Sequence, residues 1–241
     1  MKKFFKVLGI IALVAIIGFS FPACGDDGGG NMTWTDVTDG RFNSYLFSVR
    51  AIAFGNGKFV ASIINGKMVN STDGKTWTVV MNGGNNDNIY AIAYGNGKFV
   101  AGGDNKMATS TDGETWTAVA DIGTSYINAI AYGNGKFVAG GDNKMATSTD
   151  GATWTTVDLS SIFSTDSSSN EINAIAYGNN KFVAVGCYNY SGLMVTSTDG
   201  TTWTDVSSNI FKGESIRAIA YGNGKFVAGG DIGKMALSTG N

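Results

Sequence analysis

The stretch IYAIAYGNGKFVAGGDNKMATSTDGETWTAV, residues 89–119, decides the fold. Ile89 to Tyr94 alternates large and small side chains, with Ile92 and Tyr94 toward one side and Ala91 and Ala93 toward the other. A period of two is that of a β-strand. Gly95-Asn96-Gly97 follows, and Asn-Gly between apolar runs marks a tight hairpin, because both residues tolerate positive φ. Lys98 to Gly103 reads as a second strand, with Phe99 and Ala101 on one face and Val100 on the other. Gly102-Gly103-Asp104-Asn105 is a turn cluster. Met107 to Ser110 reads as a third strand, Ser110 to Gly113 turns the chain again, and Thr115 to Val119, β-branched and aromatic, reads as a fourth. Nothing in the stretch has helical spacing.

The chain repeats this unit. The triplet Ala-Ile-Ala starts at Ala51, Ala91, Ala129, Ala174 and Ala218, at intervals of 40, 38, 45 and 44 residues. Four antiparallel strands at a period near forty are the signature of a propeller blade. The sequence therefore predicts an all-β, five-bladed β-propeller over residues 32–241. A β-solenoid is the second reading, but its coils are shorter and need no regular four-strand meander. The fifth unit stops at Leu237-Ser238-Thr239-Gly240-Asn241, where its fourth strand is due. Thr33-Trp34-Thr35-Asp36-Val37 repeats Thr202-Trp203-Thr204-Asp205-Val206. The N-terminal strand is thus expected to close the last blade, which removes an open edge.

The turn before each fourth strand carries a recurring motif. Ser71-Thr72-Asp73-Gly74-Lys75-Thr76-Trp77 returns at Ser110 to Trp116, Ser148 to Trp154 and Ser197 to Trp203. It resembles the Asp-box, or bacterial neuraminidase repeat, of sialidases and related propellers, with one residue fewer between Asp and Gly. The resemblance implies a structural role: Asp73, Asp112, Asp150 and Asp199 cap their hairpins, and Trp77, Trp116, Trp154 and Trp203 pack into the blades. An Asp side chain that satisfies turn amides fits that role on local chemistry as well.

Composition narrows the function. The chain has 241 residues, a net charge of −2 and no histidine, with a pI near 5.1. Near-neutral charge invites no nucleic-acid reading, and the lack of histidine removes the commonest general base and metal ligand. No metal site and no cofactor are expected. Lys2, Lys3 and Lys6 precede a mostly apolar run, Val7 to Phe21, which reads as a secretory signal rather than a spanning anchor. It ends in Phe21-Pro22-Ala23-Cys24-Gly25, which resembles a bacterial lipoprotein cleavage site. That resemblance implies a signal peptide over 1–23 and a lipidated Cys24. A flexible tether completes residues 24–31, and the protein would sit on the bacterial cell envelope, at the outer membrane or cell surface. Cys187 is the only other cysteine, so no disulfide framework exists.

Strand direction sorts the turns onto two faces. First-to-second and third-to-fourth turns share one face, and their sequences barely change between units. Second-to-third turns and the links between blades share the other, and vary freely. The variable face is therefore the expected binding surface. Arg50, Tyr90, Asn128, Asn173 and Arg217, each just before an Ala-Ile-Ala, are expected to ring its centre. Asp104, Asp142 and Asp231 lie in neighbouring turns, and Tyr188 and Tyr190 in the longest one, read over Gly186 to Gly192. Aromatic, amide and carboxylate groups together suit sugars or polar peptides. Pairing of Arg50 or Arg217 with those aspartates is an equally ordinary reading.

Three functions follow. The first is a non-enzymatic, membrane-anchored binding module, a monomer, for a glycan or protein ligand. Near-identity of units favours it: residues 91–117 and 129–155 differ only at Glu114 against Ala152. The second is a sialidase-like glycoside hydrolase. The family's arginine triad would need all of Arg41, Arg50 and Arg217, and no carboxylate pair can be picked out among Glu114, Glu171, Glu214 and the aspartates. The third is a scaffold or assembly factor, a role other Asp-box propellers fill.

Overall fold

A computed structural model describes residues 35–37, 48–82, 88–120, 122–163 and 170–239. They form five antiparallel meanders, four of four strands and one of three. Blade one holds β1 (Val49–Gly55), β2 (Lys58–Ile63), β3 (Lys67–Ser71) and β4 (Thr78–Met81). Blade two holds β5 (Ile89–Gly95), β6 (Lys98–Gly103), β7 (Met107–Ser110) and β8 (Thr117–Val119). Blade three holds β9 (Ile127–Gly133), β10 (Lys136–Gly141), β11 (Met145–Ser148) and β12 (Thr155–Thr156). Blade four holds β13 (Asn170–Gly178), β14 (Lys181–Tyr188), β15 (Ser191–Ser197) and β16 (Thr204–Asp205). Blade five holds β17 (Ile216–Gly222), β18 (Lys225–Gly230) and β19 (Met235–Leu237).

The blades pack in sequence through their first strands, β1 on β5, β5 on β9, β9 on β13 and β13 on β17. The core lies in these four junctions. Ala91, Ala93, Val100 and Met107 of blade two, for example, share one cluster with Ile127, Ile130, Phe137 and Ala139 of blade three. A middle blade is thus covered on both faces. That explains why β6, β10 and β14 are continuously apolar and buried instead of alternating with solvent. The outer strands β8, β12 and β16 are short, Thr-rich and exposed.

One contact fixes the spacing of neighbouring blades. A Cβ placed on Gly55 would lie 2.0 Å from the ring of Tyr94, and the same holds for Gly95 under Tyr132 at 2.0 Å. The pairs Gly133 with Tyr177 and Gly178 with Tyr221 repeat it at 2.1 Å. Glycine is required there because the aromatic ring of the next blade occupies the place of a side chain.

Two expectations shift. The fourth strand of blade two begins at Thr117 rather than Thr115. Asp112 holds the amides of Glu114 and Thr115 in the turn, so pairing starts only beyond Trp116. Blade five has three strands among the described residues. Of the expected closing strand, Thr33 and Trp34 lie outside the described residues, and Thr35–Val37 are exposed without strand pairing. Beside β19 runs a groove of about 390 Å³, lined by Val183, Met194, Val206, Phe226 and Leu237 among others. Val138 and Met145, which correspond to Val183 and Met194, are buried at the preceding junction in a cluster that includes Trp203. The signal segment 1–23 and Cys24 also fall outside the described residues.

Candidate functional site

The five residues expected around the centre share an unforeseen geometry. Each of Arg50, Tyr90, Asn128, Asn173 and Arg217 is skipped in the pairing register of its strand, at the shift in every first-to-second strand ladder. Each is the extra residue of a β-bulge, a device that re-aims a side chain out of the alternating pattern. Opposite three of the bulges stands a glycine that no other residue could replace without moving backbone. A Cβ on Gly103, Gly141 or Gly186 would lie 1.7–1.8 Å from the carbonyl oxygen of Asn88, Tyr126 or Glu171.

The bulges bring the expected residues into small polar groups. In blade two, Asp104 accepts from the Asn88 amide at 2.9 Å and its side-chain nitrogen at 3.1 Å. Burial, then the Asp104 carboxylate, pushes the Tyr90 phenol up to about 12, and the charge of Arg50 acts against that rise. The Tyr90 and Tyr126 rings stand 6.3 Å apart. In blade three, Asn128 donates to Glu171 at 3.3 Å, and Asp142 bridges to Glu171 through the backbone. Burial, together with the Glu171 charge, raises the Asp142 carboxyl to about 6. In blade four, the buried Asn173 donates to the Ile216 carbonyl at 2.9 Å, which ties it to the next blade. In blade five, Arg217 holds Asp231 with two bonds, 2.9 and 3.1 Å, the fork geometry that suits a carboxylate.

The tyrosine pair divides. The segment expected as a long turn, Gly186 to Gly192, is a two-residue turn on lengthened strands, with Asn189 at φ 46° and Tyr190 at φ 62°. Tyr188 is half-buried and packs on Phe163 at 5.8 Å. Tyr190 stands 71% exposed. The expected platform is therefore one aromatic ring, not two.

The opposite face is built differently. Asp73 accepts from the Lys75 and Thr76 amides at 2.8 and 2.7 Å and from the Ser71 hydroxyl at 2.9 Å. Those bonds hold its carboxyl at about 2. The same bonds hold Asp112, Asp150 and Asp199 well below the usual carboxylate range. The tryptophans follow the expected packing to different depths. Trp203 is buried, Trp77, Trp116 and Trp154 half-buried, and the Trp154 and Trp203 indoles donate to Gly151 and Gly200 at 3.1 Å. The Gly-Asn-Gly-Lys turn of each blade clasps the Asp turn of the next. Asn56 and Lys58 donate to the Thr111 and Asp112 carbonyls. Asn96 and Lys98 donate to Thr149 and Asp150, and Asn134 and Lys136 to Thr198 and Asp199. These polar clasps sit above the apolar junctions.

Five meanders stacked through their first strands define a β-propeller. No family model matches the chain, and no curated relative does. Among solved structures it is similar to the extracellular domain of the putative one component system BT4673 from B. thetaiotaomicron. The TM-score is 0.64 at 13% identity, covering 80% of this chain and 26% of that one. It is similar to U3-55K, with TM-score 0.63, 11% identity and coverage of 81% and 62%. It is also similar to YCF48 bound to D1 peptide, with TM-score 0.58, 14% identity and coverage of 80% and 63%. The chain spans less than two thirds of the length of each of these three. The likeness is one of fold.

Proposed function

We propose that the protein is a non-enzymatic binding module, held at a bacterial membrane through lipid on Cys24, that takes a polar peptide or glycan on its bulge face. One observation carries this reading. The residues repeated almost unchanged are those used up in clasps and caps, while three of the bulges place the half-buried Arg50, Tyr90 and Arg217 on the face where loops differ, and the other two bulge residues, Asn128 and Asn173, are buried beneath it. Bulged positions re-aim side chains, and a face free of the clasps can vary without loosening the blades. YCF48, of like fold, has been solved with a peptide, which makes a peptide a sensible first probe here. The Asp turns serve as hairpin caps in this reading, as the resemblance to the Asp-box implies.

The test is a paired glycan and peptide array probed with the full chain, with sialoside hydrolysis read in parallel. Binding that falls at least tenfold in Arg50→Ala and in Tyr190→Ala, with unchanged melting temperature, is the expected result. The array that lights up separates the two ligand classes. Sialoside turnover would replace this reading with the glycoside hydrolase, and silence on both arrays would remove it in favour of a scaffold. Membrane partition tests the anchor: Cys24→Ser is expected to move the protein to the soluble fraction.

A further inference from the structure

The two ends of the row of blades are the two halves of the junction that the chain builds four times within itself. On blade one, Val49 is 63%, Ile52 42% and Phe54 55% exposed. Their counterparts in the other blades are Ile89, Ile127, Ile172 and Ile216 for Val49, and Ile92, Ile130, Ile175 and Ile219 for Ile52. All eight are buried against the preceding blade. Phe54 stands where Tyr94, Tyr132, Tyr177 and Tyr221 cover a glycine of the preceding blade. On blade five the receiving half is open. Met235 is 70% exposed, whereas Met68, Met107 and Met145 are buried under the next blade. A Cβ on Gly222 or Gly229 would meet nothing within 4 Å, whereas at Gly102 and Gly140 it would strike Ile127 and Ile172. The clasp is open too. The Asn223 and Lys225 side chains are exposed, and among the described residues neither they nor the Thr72 and Asp73 carbonyls take part in a clasp of the kind seen between blades one and two.

We propose that a second copy of this chain docks there, blade one of one molecule on blade five of another, through the same contacts that join blades inside the chain. Phe54 would cover Gly222, Val49 and Ile52 would cover Gly229, and Asn223 with Lys225 would clasp the neighbour's Thr72 and Asp73 carbonyls. The occupant is another copy because both halves are open in one molecule at once. Among the described residues the strands of blade one do not pack on those of blade five, and Val49, Phe54 and Met235 stay exposed. The two halves are also different surfaces, so the contact is heterologous and propagates head to tail. This proposal departs from the sequence expectation of a monomer.

Two singly substituted full-length chains, Phe54→Cys and Gly222→Cys, test this when mixed in mild detergent and oxidised. At the internal junctions the glycine Cβ position lies 2.0–2.1 Å from the first ring carbon. Two cysteines there would have their Cβ atoms at most about 3.5 Å apart, the short end of the roughly 3.5–4.5 Å that a disulfide spans. The expected result is a linked pair in the mixture and none in either variant alone or in the parent chain. The mass of the parent chain by light scattering is expected to rise with concentration. A mixture without linked pairs, with a parent mass of one chain throughout, overturns the proposal. So does a chain carrying both cysteines that closes an internal disulfide at every dilution, which would mean the ends meet within one molecule.

Discussion

Asp142 and the four box aspartates respond to pH in opposite senses. Asp142 sits at about 6 in the fold against an ordinary 3.8, so between about pH 4 and 6 the folded chain keeps a proton that the unfolded chain has released. Its ionisation therefore weakens the fold as pH rises through that window. Asp73 sits at about 2, and the three other box aspartates are also lowered. The stability they contribute is present above their ordinary range and lost as pH falls through their folded values. The windows do not overlap, so one substitution separates them. Asp142→Asn is expected to raise the melting temperature at pH 7.5 by about 2–4 °C, for a gain of about 1 kcal/mol after solvent screening. The wild type is expected to gain stability from pH 7.5 to 5 while the variant stays level, and both should weaken below about pH 4. Thermal melts at five pH values check this, and a variant with the wild-type slope between pH 7.5 and 5 would show that Asp142 is not the group responsible.

Strands and turns were the most legible elements, and the bulges the least. Lys98–Gly103 is a strand from both sequence and structure, and Asn96 and Gly97 take the positive φ that their types suggest. The bulges escape a period-two reading because it assumes every residue pairs. Ile89 and Ile92 held the available signal: both join the cluster shared with blade one, yet they stand three apart, which in an unbroken strand would send them to opposite faces. The depth of Tyr188 was not legible, since Phe163 reaches it from a different link. Nor was the clasp, because Asn96 and Lys98 look like ordinary turn residues until blade three places the Thr149 and Asp150 carbonyls beside them. Asn96→Gly keeps a turn that tolerates positive φ and removes one clasp bond, so it is expected to cost about 1 kcal/mol at any concentration. Asn223→Gly, the same change at the open end, is expected to leave a dilute melt unchanged and weaken self-association instead. The groove beside β19 belongs to the same scale. Thr33–Val37 precede blade one and repeat Thr202–Val206, so docking blade one on blade five would bring them to that edge. Trp34→Ala is then expected to cost about 3 kcal/mol, the lower end for an emptied Trp seat, seen as a lower melting temperature of the associated protein.

At the scale of the molecule, the core is divided among junctions instead of gathered at one centre. Among the described residues the main packing of each blade is on its neighbours in sequence, so stability is close to a sum of blade and junction contributions. A chain with four internal junctions and two open halves gains a fifth junction whenever a second copy docks. Docking then stabilises by mass action, and above the dissociation constant each tenfold rise in concentration adds about 1.4 kcal/mol at most. The melting temperature of the parent chain is therefore expected to climb by about 2–5 °C per tenfold rise in concentration, given the entropy of unfolding for a chain of this size. Phe54→Asp places a charge where a ring should cover Gly222, in a residue already exposed in the single molecule. It should lower the dilute melting temperature somewhat, because the Phe54 ring also packs on Phe59 at 4.7 Å, and abolish the concentration dependence. Differential scanning calorimetry over two decades of concentration reads both effects. Parallel slopes for parent and Phe54→Asp would place any association elsewhere on the surface, because a contact that buries this ring cannot tolerate the charge.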